Sequence, residues 1–112
     1  MKKAERIDPS LFFETMNAYQ RTEALKAALD FDLFTALSEG PLGAEELASK
    51  ISASVKGTRI LSDYLCIIGF LEKANECYQL TPSSGVFLVR SSPAYVGGTR
   101  QFLASPTIVS GF

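Results

Sequence analysis

Two breaks fix the middle of this chain. Gly40-Pro41 ends the helix before it, because proline cannot continue a helix and glycine takes backbone angles other residues avoid. Ser52-Ala53-Ser54 forces a turn soon afterwards, so only a short helix fits between. That helix begins near Gly43. Leu42 and Leu47 stand in the positions of a hydrophobic staple, and Glu46 fills the acid half of a capping box. Gly43 has no side-chain oxygen for the other half, so this start is weaker than a Ser or Thr version. Leu47 and Ile51 give the helix a narrow buried stripe. Ser54 is placed to cap the long helix that follows, Val55 to Gly69, where Gly69 is the stop. Ile60, Leu61, Tyr64, Leu65, Ile67 and Ile68 cover more of it than one stripe. Burial on two sides follows, one against its own domain and one against something else. Phe70–Lys73 and Cys77–Leu80 then read as two strands joined at Ala74-Asn75-Glu76.

Helix, turn, helix and two-stranded wing is the order of a winged helix-turn-helix. The expected fold is mainly α, a winged helix with additional N- and C-terminal helices, in one domain over residues 1–112. At the front, Asp8-Pro9 is a start signal, Asp as N-cap and Pro as the first helical residue. Phe12, Met16 and Tyr19 recur at helical spacing, and Leu25, Ala28 and Leu29 carry the pattern on. Asp30-Phe31-Asp32 interrupts it, with Asp32 placed to cap a short helix through Leu33, Phe34 and Leu37. Behind the wing, Thr81-Pro82 opens a helix carrying Val86, Phe87 and Leu88. Ser92-Pro93 repeats the device toward Tyr95, Val96, Phe102 and Leu103, and Pro106 starts another with Ile108, Val109 and Phe112.

A winged helix raises the question of nucleic acid, and charge argues against it. The net charge is -1 and the pI about 5.4, where a nucleic-acid module carries a basic face. Between Lys56 and Glu76, Lys56, Arg59 and Lys73 are cancelled by Asp63, Glu72 and Glu76. The outward positions of the long helix are expected to be Val55, Lys56, Arg59, Ser62, Asp63 and Cys66, with no Asn or Gln to read adenine. Affinity for a duplex comes largely from neutralised phosphates, and here few cations are on offer.

Catalysis is also poorly provided for. No histidine exists, which removes the usual general base and, with only Cys66 and Cys77 as thiols, an ordinary zinc site. Those cysteines are expected to be free, packed as small apolar groups. Glu45-Glu46, Asp30 and Asp32 read as helix-start charges, and Ser83-Ser84 and Ser91-Ser92 have no base beside them. Gly97-Gly98-Thr99-Arg100 lacks both the G-x-G spacing and the preceding strand of a phosphate cradle. The chain alone is therefore not expected to be an enzyme. No apolar run approaches the roughly 18 residues of a membrane span. Met1-Lys2-Lys3 is not followed by the apolar stretch of a signal peptide, so a cytoplasmic location is expected.

Eight Phe and four Tyr are generous for one small domain, so some rings belong to a shared interface. The stripe Phe12, Phe13, Met16 and Tyr19 reads either as core or as an aromatic and thioether surface for a partner subunit or flat ligand.

The succession Leu33-Phe34-Thr35-Ala36-Leu37, Gly40-Pro41-Leu42-Gly43-Ala44-Glu45-Glu46-Leu47-Ala48, Arg59-Ile60-Leu61, Leu65 to Glu72 and Tyr78-Gln79-Leu80-Thr81 resembles the N-terminal dimerisation domain of S-adenosylmethionine-dependent small-molecule O-methyltransferases. Thr81-Pro82, Phe87-Leu88-Val89-Arg90, Ser92-Pro93-Ala94-Tyr95 and Phe102-Leu103 after the wing favour that family over regulators. The resemblance implies a homodimer whose first helices help cover the partner's acceptor pocket. It places acceptor contacts around Phe13, Met16 and Tyr19. It also implies a separate Rossmann-like domain, outside these residues, that binds S-adenosylmethionine and carries the catalytic base, so that this chain is a piece of a longer enzyme or a domain taken alone. Gly43 stands where relatives often have a capping Thr, a departure of stability rather than role. Three readings stay open: a non-catalytic homodimerising domain of a methyltransferase with no nucleic-acid or membrane partner, a winged-helix DNA-binding regulator, and a free-standing adaptor for another protein.

Overall fold

The structure, a computed structural model, describes residues 8–96. Helix α1 (Ser10–Asp30) leads to the single turn of α2 (Leu33–Ala36) and a 3-10 turn (Leu37–Glu39). Then come β1 (Leu42–Gly43), α3 (Ala44–Ile51), α4 (Val55–Ile67), β2 (Leu71–Ala74), β3 (Cys77–Leu80) and α5 (Pro82–Phe87). The domain is mainly helical with a small antiparallel sheet, and the order helix, turn, helix, hairpin lies in its middle.

Local chemistry explains most boundaries. Ser54 Oγ accepts from the Gly57 N–H at 3.0 Å, and Thr81 Oγ1 from the Ser84 N–H at 3.3 Å, so both caps act as their sequences require. Only the acid half of the box at α3 exists, the Gly43 N–H donating to Glu46 Oε1 at 3.3 Å. Gly69, at φ 95°, closes α4 with the paired bonds of a Schellman stop: the Phe70 N–H reaches the Leu65 carbonyl and the Gly69 N–H that of Cys66. Ser52 ends α3 in the same way at φ 58°, a conformation that glycine holds at lower cost.

The core gathers Ala28 and Leu29 of α1, Leu33 and Phe34 of α2, Leu37, Leu47 and Ile51 of α3, Leu65 of α4, Leu71, Tyr78 and Leu88. Only the second half of α1 takes part. Every residue from Ser10 to Arg21 is exposed, and the described residues extend over 54 × 31 × 25 Å as that half projects from the core. Ser, Phe, Thr, Asn and Tyr within it each lie roughly half a kcal/mol below alanine in helix propensity.

Several expectations change. The wing has three strands, in the order β1-β3-β2, because Leu42 and Gly43 pair with Tyr78 and Cys77. Its hairpin starts at Leu71 rather than Phe70 and turns in two residues, Asn75 and Glu76, both at positive φ as a type I′ turn demands. Pro9, rather than Asp8, sits at the N-cap of α1, and Asp8 Oδ1 instead accepts the Ser10 N–H. Asp32 holds the N-cap position of α2, but its side chain makes no capping bond. It takes a left-handed backbone, and its carboxylate holds the Arg90 guanidinium, which ties the chain after α5 back to this corner. Asp30 is the last residue of α1, not a helix-start charge. Ser92-Pro93 makes a turn through Val96 rather than a helix, Ser92 Oγ accepting the Ala94 N–H. Gly97-Gly98-Thr99-Arg100, Phe102, Leu103 and the helix expected at Pro106 lie outside the described residues.

The largest correction concerns α4. Ser62, expected outward, is fully buried, and Thr58 is buried beside it. With Leu65 they form the inner face of α4. Rolling these residues inward turns Ile60 and Ile67 to the outside. Among the described residues the Thr58 and Ser62 hydroxyls have no hydrogen-bond partner.

Candidate functional site

The surface divides into an oily face and a polar one. On the oily face the outer half of α1 carries Leu11, Phe12, Phe13, Met16 and Tyr19, respectively 75%, 61%, 56%, 42% and 61% exposed. Ile60 and Ile67 on α4 are 61% and 80% exposed. The two helices meet in an open groove of about 510 Å³, walled by Tyr19 and Ala24 on one side and Ile60, Leu61 and Tyr64 on the other, with Gln20 and Glu23 at its edge. Of the three residues singled out for acceptor contact, Tyr19 lines this groove. Phe13 and Met16 stand further out on α1, clear of their own protomer. Sequence periodicity gives α4 two oily sides, one of them against something other than its own domain, and Ile60 and Ile67 are side chains that the lone protomer leaves exposed.

The polar face centres on a cleft of about 450 Å³ lined by Glu45, Glu46, Arg59, Lys73, Glu76 and Tyr78. Behind it the Tyr78 phenol donates to Asp63 Oδ1 at 2.7 Å, and Lys73 Nζ reaches the same oxygen at 3.2 Å. The Tyr78 phenol, above all, holds the Asp63 carboxyl below the usual carboxylate range, with Lys73 adding and burial opposing. Burial first, and then Asp63, pushes the Tyr78 phenol up, and the bond to Asp63 does the same for Lys73. This trio joins α4 to β2 and β3 and has a structural role. Ser84 is likewise structural, its hydroxyl donating to the Phe70 carbonyl at 2.7 Å. Cys66 and Cys77 are half-buried free thiols, and burial raises the Cys66 thiol's pKa.

The face of α4 that would meet a duplex offers Val55, Lys56, Arg59, Ile60 and Ile67, while Lys73 is engaged by Asp63. A surface of two cations among exposed aliphatics gives the DNA-binding reading no support. Among the described residues no cluster of His, Cys, Asp or Glu could hold a metal, and no helix is long and apolar enough to cross a membrane. Among the described residues a three-stranded antiparallel sheet, with no glycine-rich turn from strand to helix, does not fit an adenosyl cofactor.

Comparison with known proteins agrees with the oily face. The sequence profile of the O-methyltransferase dimerisation domain matches residues 13–90. The chain is 34% identical over 91 residues to the tetracenomycin polyketide synthesis 8-O-methyl transferase of Streptomyces glaucescens, covering 80% of this chain and 27% of that protein. It is 32% identical over 82 residues to the N,N-dimethyltransferase OxyT of Streptomyces rimosus, covering 73% and 24%. The crystal structure of a candidate O-methyltransferase from Nostoc punctiforme superposes with a TM-score of 0.84 at 50% identity, over 96% of this chain and 33% of that one. The chain thus spans about a quarter to a third of the length of these relatives.

Proposed function

The chain belongs to the O-methyltransferase dimerisation-domain family, and from that premise we propose that it pairs with a second copy of itself through the oily face of α1 and α4. The parent enzyme transfers a methyl group from S-adenosylmethionine to a small-molecule acceptor in the cytoplasm. The methyl-donor site and the catalytic base lie in residues other than these, and this domain is non-catalytic by itself. In the pair, Phe13, Met16 and Tyr19 cover the acceptor, giving a flat apolar molecule aromatic and thioether surface to rest on. The acceptor's heteroatom is set elsewhere in the enzyme, since an 8-O-methyl transferase and an N,N-dimethyltransferase are both similar to this domain.

The exposure of seven large apolar side chains on the neighbouring helices α1 and α4 carries this reading. Side chains of this size bury about 150–250 Å² each, so their exposed parts come to ~800 Å², the per-partner area of a standard protein interface. A patch so large on a soluble monomer marks an interaction site. Sedimentation equilibrium at tens of micromolar tests it. The expected mass is twice the 12.2 kDa of one chain, and a clean monomer would sink the proposal.

A further inference from the structure

We propose that Ser10–Arg21 of α1 is helical only in the paired state, so that association itself assembles the row Phe13, Met16 and Tyr19. This rests on the pairing proposed above and adds a folding step to it. The helix has two unlike halves. From Ala24 onward it is held by its own protomer, through Ala24 and Leu25 against the core and Ala28 and Leu29 within it. From Ser10 to Arg21 every residue is exposed, and of these Tyr19 and Gln20 alone line the groove against α4, so little burial repays the ordering of the backbone.

Local devices do not make up the difference. Pro9 at the N-cap offers no side-chain acceptor and no acidic residue lies in the first turn, which leaves Asp8, ahead of the helix and accepting the Ser10 N–H, as the capping group at this exposed end. The Thr15 hydroxyl donates back to the Leu11 carbonyl, an arrangement that slightly weakens a helix. The ion pair of α1 among the described residues, Glu23 with Lys26, sits in the anchored half. Phe12 and Phe13 meet edge to face with centroids 5.4 Å apart, yet they are sequence neighbours and tie the segment to nothing else.

A second copy is the occupant that fits. The family is a dimerisation domain, the row runs unbroken into the groove against Ile60 and Tyr64, and its area matches one side of an interface. The enzyme's acceptor cover would then be absent from a lone protomer and appear with the dimer, making acceptor binding depend on chain concentration.

The double variant Phe12→Glu/Phe13→Glu gives opposite results under the two alternatives. Both rings are exposed, so the protomer's core is untouched. Glutamate is a better helix former than phenylalanine and is favoured near a helix N-terminus, so a self-sufficient helix would gain order. A helix held by a twin loses it. Amide hydrogen exchange and sedimentation are read on the same samples of the full chain, parent across a dilution series and variant at one concentration. The expected result is a monomeric variant with at least tenfold less protection over residues 12–20 and unchanged protection around residues 28–34. In the parent, protection over 12–20 should follow the dimer fraction. A monomeric sample with residues 12–20 protected overturns the inference, and a variant that stays dimeric overturns the pairing through Phe12 and Phe13 on which it rests. A parent that never pairs and shows no protection there would sink the pairing while upholding the claim that a lone protomer cannot hold this helix.

Discussion

Replacing Tyr78 by Phe tests the buried arm of the polar trio that joins α4 to the wing. The ring is 1% exposed, and phenylalanine keeps its packing and the Lys73 ammonium 5.1 Å above it, so the change removes the phenol alone. Its bond to Asp63, at 2.7 Å, is charge-assisted, a class worth about 1.5–3 kcal/mol. Asp63 keeps Lys73 and its side chain is 44% exposed, so water replaces part of what is lost. The expected cost is therefore at the low end, about 1–2 kcal/mol, or roughly 0.5–1 M in urea midpoint for a domain of this size. Parent and variant must be compared at one chain concentration, because pairing adds to apparent stability.

The pH dependence sharpens the test. Asp63 has a folded pKa below its unfolded value, so its contribution is present above the ordinary aspartate pKa and fades as pH falls through the folded one. Tyr78 is the opposite case. Its folded pKa is raised, so its contribution is complete below the ordinary tyrosine pKa and is lost as pH rises through the folded value. The difference between parent and variant should be largest between roughly pH 5 and 9 and shrink toward pH 3. A difference below ~0.5 kcal/mol at neutral pH, or one of the same size at pH 3 and pH 7, would refute the account.

Two further substitutions probe the backbone and the helix seam. Ser52→Gly at the left-handed end of α3 should stabilise by about 0.5–1 kcal/mol in urea unfolding, and a loss would show that the φ of 58° carries no strain. Ser62→Ala removes a buried hydroxyl that has no partner, and should be neutral or stabilising by up to ~1 kcal/mol. Destabilisation there by more than about 1 kcal/mol would mean that the hydroxyl is bonded after all.

What the sequence made legible was whatever depends on neighbours along the chain. Ser54, Thr81, Gly69 and the half-box at Gly43 are each read from a few adjacent residues, and each does in three dimensions what its spacing requires. Contacts between distant segments were not legible. Leu42-Gly43 becomes a strand only because β3 lies beside it, and two residues carry no periodicity of their own. Asp32 looked like a cap until Arg90, far along the chain, claimed its carboxylate. The roll of α4 was misread at Ser62, which stood among the outward positions and is fully buried. The two oily sides of the helix pointed to a second surface without showing which of its side chains form it. The aromatic character of α1 was plain from Phe12, Phe13, Met16 and Tyr19, whereas the groove exists only where α4 is rolled to meet it.

That roll also decides what this scaffold can bind. A helix-turn-helix holds DNA when its second helix turns cations and hydrogen-bonding side chains outward, since each neutralised phosphate contributes through released counterions. Here the inner face of α4 is taken by Thr58, Ser62 and Leu65, so the outer face is left to Ile60 and Ile67 beside Lys56 and Arg59. Desolvating two large aliphatic side chains against a polyanion gains little, because phosphates must stay hydrated or paired. Against another oily surface the same side chains contribute on the order of 25 cal/mol per Å² removed from water. Tyr19 of α1 lies across one groove from Ile60, so a single partner surface can reach both helices. The roll of α4 about its own axis thus determines an outer surface that favours association with another protein chain, and the backbone order alone does not.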